Sequence, residues 1–121
     1  MKKLLLLIIL IFAVSAFGQR KTGSYAKKGG DGEIKIVETI KFSLWVVGTA
    51  TARCVGVLKG KAKLTNSNFA EFKDNSRTDD GELIGCRLYI VFAGRTLTIR
   101  QDSCSYYHGA ACNFDGDYIR K

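Results

Sequence analysis

Few residues in this 121-residue chain have the types and spacing that covalent or proton-transfer chemistry needs. The one histidine, His108, lies in Cys104-Ser-Tyr-Tyr-His-Gly-Ala-Ala-Cys112, close to Ser103, Ser105, Tyr106 and Tyr107. A serine nucleophile requires an activating base on a strained elbow, and no such motif surrounds these serines. The acidic stretch from Asp74 to Glu82 offers oxygen ligands of the kind calcium takes. Placing Gly81 at the turn of a twelve-residue calcium loop, however, puts Arg87 at the last ligand position. Asp115 and Asp117 read as a turn around Gly116 rather than as a glycosidase pair, because no apolar pocket that would raise one pKa is evident. We therefore expect no enzymatic activity, no metal and no cofactor.

The same residues are suited to binding. Tyr106, Tyr107 and His108 supply large contact area and hydrogen bonds at little entropic cost, and the alternative is that a tyrosine packs over one end of the domain. Lys59, Lys61 and Lys63 share one parity of an expected strand, with Arg53 further along it, and such a row of ammonium groups suits phosphate. Lysines on a strand also block edge-to-edge aggregation, which is the competing reading. Nucleic acid is not favoured, because the outward neighbours in this run are mainly Thr and Val rather than stacking aromatics.

All four cysteines, Cys54, Cys86, Cys104 and Cys112, follow the N-terminal apolar run. An even count in a small exported chain indicates two disulfides. With no Cys-x-x-Cys and a single histidine, a closed zinc site is not indicated. Of the three connectivities, Cys54 with Cys86 and Cys104 with Cys112 is the expected one, the second closing a short glycine-containing loop.

Export is read from the first eighteen residues. Met1-Lys2-Lys3 is followed by an unbroken apolar run, Leu4 to Val14, too short to span a bilayer, and Ala16-Phe17-Gly18 supplies small residues before Gln19. Residues 1–18 are thus an expected signal peptide, leaving no transmembrane segment and a secreted or periplasmic location. Lys2 and Lys3 leave with it, so 17 of the 19 basic residues face 11 acidic ones, a formal charge of +6. Residues 19–32 combine Arg20, Lys21, Lys27 and Lys28 with a glycine-rich end and read as a flexible basic tether.

Residues 33–121 are expected to form a single all-β domain. Ile34, Ile36, Ile40, Phe42, Leu44 and Val46 share one parity, against Glu33, Lys35, Thr39, Lys41 and Ser43, with Glu38 at a bulge or a join between strands. A second run places Ala50, Ala52, Cys54, Gly56, Leu58, Gly60, Ala62 and Leu64 on its inner face. These small residues leave room opposite for large ones such as Phe42, Trp45 or Phe92. Phe69 to Phe72 reads as a short strand, Ile84 to Ile99 as a hairpin turning at Gly94, and Tyr118-Ile119 as the closing strand. The expected fold is a disulfide-stapled antiparallel barrel or sandwich of about six to eight strands, working as a monomer.

The tail from Cys104 through Asn113-Phe-Asp-Gly-Asp-Tyr118, with Cys86-Arg-Leu-Tyr-Ile-Val-Phe92 and Leu97-Thr-Ile99, resembles that of small exported bacterial proteins of lysozyme-inhibitor-like type. That resemblance covers the last third of the chain and implies a fold rather than a catalytic site. It would cast His108, Tyr106 and Tyr107 as a probe on the Cys104–Cys112 loop, although a basic inhibitor meets long-range repulsion from a basic lysozyme. The primary expectation is an exported, non-catalytic binding domain with an anionic envelope component as partner. The alternative is an inhibitor of a lysozyme-type glycosidase.

Overall fold

A computed structural model describes residues 21–47, 54–109 and 112–121. The signal-peptide reading of 1–18, and residues 49–53 of the expected second run with Arg53, lie outside them. Nine strands follow in order: β1 (Gly23–Lys27), β2 (Asp31–Val37), β3 (Lys41–Val47), β4 (Val55–Lys61), β5 (Lys63–Asn66), β6 (Phe69–Lys73), β7 (Arg87–Ala93), β8 (Thr96–Asp102) and β9 (Gly116–Arg120). A 3-10 turn, Glu38–Ile40, joins β2 to β3, and one short helix, α1 (Ser105–His108), precedes β9. The strands form one antiparallel sheet of order β4-β3-β2-β1-β9-β8-β7-β6-β5, curled into a nearly closed barrel.

The ladder's two ends are consecutive in the chain. Only Ala62 separates β4 from β5, so one bent stave pairs with β3 along its first half and with β6 along its second. The fold thus has eight staves although it has nine strands. At the bend the Ala62 N–H donates to the Ile40 carbonyl at 3.0 Å. Ile40 is held there at φ 55, a left-handed conformation that a β-branched residue rarely adopts.

Period-two patterning places the core as expected. Ile34 and Ile36 of β2, Phe42, Leu44 and Val46 of β3, Leu88, Ile90 and Phe92 of β7, and Leu97 and Ile99 of β8 all point inward and are buried. Gly94, at φ 61, opens the two-residue turn between β7 and β8. Glu38 marks the join that its break in the pattern suggested.

The middle of the expected basic tether is a stave of the barrel. Residues 23–27 form β1, which pairs with β2 on one side and β9 on the other, joining the two ends of the domain. Tyr25 explains the difference, because its ring is buried beside Ile34 and its hydroxyl donates to the Lys21 carbonyl at 2.8 Å. One buried aromatic per strand suffices when backbone hydrogen bonds on both edges carry the rest. The residues after β1 make the tight turn into β2, with Gly29 at φ 72.

The cysteine pairing also differs from expectation. Cys54 is bonded to Cys112 and Cys86 to Cys104, with Cα separations of 5.9 and 4.4 Å. Cys104 precedes α1 and Cys112 follows it, so the two bridges pin the segment at both ends to different parts of the barrel. Among the described residues, no strand pairs with the second edge of β4, and α1 packs against this strand. The disulfides therefore hold a plug across the barrel's seam rather than closing a separate loop.

Candidate functional site

The pinned segment is built inward. His108 is only 6% exposed and meets the Phe114 ring edge to face at 5.0 Å. A Cβ on Gly56 would lie 2.6 Å from the His108 Cβ, so the glycine is what admits the histidine against β4. The imidazole Nδ1 bonds the Gly109 carbonyl, and Nε2 is buried without a hydrogen-bond partner among the described residues. His108 is thus no displayed probe. Packing claims it, with its Cβ close over the Gly56 backbone and its ring edge to face with Phe114.

Tyr107 is also engaged. Its hydroxyl donates to Asp74 Oδ2, while Asp74 Oδ1 accepts the Ser76 N–H at 2.8 Å. Asp74 therefore anchors the loop before β7 to α1, and it is buried. Only Tyr106 of the expected trio stands clear, 63% exposed and edge-on to Tyr107. Burial pushes the Asp74 carboxyl up, but the hydrogen bonds from Ser76 and Tyr107 outweigh it and hold the group below the ordinary carboxylate value. Burial, then the bond to Asp74, pushes the Tyr107 phenol up to about 12.

The signs of these two shifts set a window. Asp74 contributes stability that is present above its unfolded pKa and lost as pH falls through the lower folded value. Tyr107 contributes stability that is present below its unfolded pKa of about 10 and lost as pH rises through about 12. Tyr107→Phe leaves the buried carboxylate one donor short and is expected to cost about 1.5 to 3 kcal/mol at neutral pH. Urea unfolding across an acid pH series should show the gap between parent and variant narrowing as Asp74 takes up its proton, because the parent loses the stability of the bonded carboxylate and the variant has less of it to lose. Coincident acid limbs would show that the bond contributes nothing.

The expected lysines lie elsewhere, on the outer face. Lys59 and Lys61 of β4 and Lys63 of β5 are all exposed. The register adds a residue that the linear row does not contain, because Lys41 of β3 lies directly opposite Lys61, with Ser43 opposite Lys59. Lys35 of β2 lies opposite Ser43 in turn. Lys41, Lys59 and Lys61 form no salt bridge with any described residue. Lys63 faces Glu71 across the β5–β6 pair. Lys61 and Lys63 also border an open groove of about 510 Å³ whose apolar lining is Ile40, Ala62 and Leu64.

Trp45 belongs to this outer face too, not to the inner one where room was expected for it. It is 40% exposed and pairs with Val57, and beyond it Val47 pairs with Val55. Its parity is that of Lys41 and Ser43, a signal present in the sequence. The lack of aromatics among the lysines' neighbours is accordingly corrected by the adjacent strand.

Fold and site together define a small antiparallel β-barrel, stapled by two disulfides, with a basic and aromatic outer face. No family model, curated protein or solved structure matches the chain. No group of side chains arranged to hold a metal occurs among the described residues, and none of the described helices is long and apolar enough to cross a membrane.

Proposed function

We propose that this chain is an exported, non-catalytic binding domain that acts in the bacterial envelope or outside the cell and engages a phosphate-bearing, anionic envelope component. The observation that carries this reading is the cluster of Lys41, Lys59 and Lys61 on the β3–β4 face. Like charges directly opposite one another on neighbouring strands destabilise a sheet, so Lys41 against Lys61 costs stability that an anion between them would return. The two disulfides and the apolar N-terminal run support an oxidising, exported setting. The glycosidase-inhibitor reading loses support, since His108 is buried, Tyr107 is tied to Asp74, and the loop is not closed on itself.

Inorganic polyphosphate is a suitable probe. Three phosphate contacts give an expected slope of log affinity against log salt of about −2 to −3. In a Lys41→Glu, Lys59→Glu, Lys61→Glu variant, binding should be lost. An unchanged slope in that variant would place the contact elsewhere on the molecule.

A further inference from the structure

The lysine cluster has an apolar neighbour on the same two strands. Trp45, Val47, Val55 and Val57 form a two-by-two square on the outer face, with Trp45 opposite Val57 and Val47 opposite Val55. They are 40, 41, 67 and 48% exposed. Four large apolar side chains gathered this way are not the scattered surface hydrophobics of an ordinary domain. Toward the other end of the strands, Ser43 and Lys59 and then Lys41 and Lys61 follow on the same face.

From this arrangement, and resting on the anion-binding reading above, we infer that the partner is the surface of an anionic phospholipid bilayer, on which the β3–β4 face docks. A soluble polyanion needs the lysines and leaves the apolar square in water. A bilayer uses both, because headgroup phosphates meet the ammonium groups while the indole and valines enter the boundary between headgroups and acyl chains. Tryptophan suits that depth, having a large apolar body and one N–H donor that the headgroups can satisfy.

The charges around the square set the orientation. On the β2 side Asp31 lies opposite Val47 and Glu33 opposite Trp45. Glu33 is neutralised by Lys121, whose Nζ lies 2.8 Å from its Oε2. Asp31 keeps β2 away from an anionic surface, so the molecule tilts onto its β4 side, where Val55 is the most exposed member of the square.

Trp45 is the only tryptophan in the chain, so its emission reports on the square directly. Residues 19–121 contain every described strand and omit the apolar N-terminal run, which would itself enter lipid. This oxidised fragment should be titrated with phosphatidylcholine vesicles, with and without about one third phosphatidylglycerol, and with polyphosphate. Anionic vesicles should shift the Trp45 emission to the blue and shield it from an aqueous quencher, whereas polyphosphate should bind without either change. Val55→Ser with Val57→Ser should weaken vesicle binding by about tenfold and leave polyphosphate binding intact. Each lysine removed should cost about fivefold on anionic vesicles. Polyphosphate binding without vesicle binding, or vesicle binding with unshifted emission and no effect of the serine pair, would overturn the bilayer inference and leave the anion-binding reading standing. Binding to neither would overturn both.

Discussion

Replacing Cys54 and Cys112 together by alanine is expected to lower the unfolding free energy by about 4 kcal/mol, and replacing Cys86 with Cys104 by about 3 kcal/mol. The difference follows from the loops the bridges close in the unfolded chain, with sequence separations of 58 and 18. For a domain whose total stability is of order 5 to 15 kcal/mol, either loss is a large share. The native state adds to the effect, because the two bridges anchor α1 at opposite ends and α1 packs against β4, whose second edge no described strand pairs with. Guanidinium unfolding of the oxidised pair variants, compared with the parent, measures both values. Peptide mapping without reduction is the accompanying check. A fragment joining Cys104 to Cys112 would mean that the segment is a free loop and that the seam has no staple.

Gly56→Ala is expected to destabilise the barrel by about 3 kcal/mol, near the upper end for overpacking a core by one methyl group. The added Cβ would meet the His108 Cβ at 2.6 Å, Val46 Cγ2 at 2.9 Å and Phe114 Cε1 at 3.0 Å. A Cβ cannot rotate away as a ring edge can, so α1 itself must lift, and the disulfides on either side of it oppose that movement. Gly60→Ala makes the informative comparison. Its closest contact is shorter, 2.4 Å to Phe72 Cε2, but the atom met is the far part of a side chain. That ring stands edge-on to Phe42 at 5.0 Å and has only limited room, so a smaller loss of about 1 to 2 kcal/mol is expected. Denaturant midpoints for the two variants decide the matter. A Gly60 variant less stable than the Gly56 variant would show that Phe72, not α1, is the rigid side of the seam.

Such effects concentrate on two glycines of β4, which ends the strand order and has one edge unpaired among the described residues. From β3 round to β6 each strand is held on both sides by backbone hydrogen bonds, and a lost side-chain contact is shared among neighbours. Along β4, His108 and Phe72 pack close against the backbone at Gly56 and Gly60, where a side chain would not fit. The small inner face that the sequence displays is therefore the imprint of a plug, and the large residues opposite it are His108, Phe114 and Phe72.

Alternation along the chain determined the all-β class, the inward faces of β2, β3, β7 and β8, the join at Glu38 and the turn at Gly94, because a strand's two faces are set by neighbours two residues apart. It also placed Lys59, Lys61 and Lys63 on one parity. Tertiary structure alone decided the rest. Residues 23–27 became β1 because β2 and β9 offer hydrogen bonds on both edges, which a polar stretch with a single buried tyrosine does not reveal. Cys54 found Cys112, and Cys86 found Cys104, because barrel closure brings those pairs within disulfide reach, whatever their separation along the chain. His108 went inside because a glycine on a distant strand left a space of its size, and Lys41 and Trp45 joined the lysine face through the β3–β4 register. Pairing, register and closure join residues remote in sequence, and periodicity, being local, carries no record of which remote residues will meet.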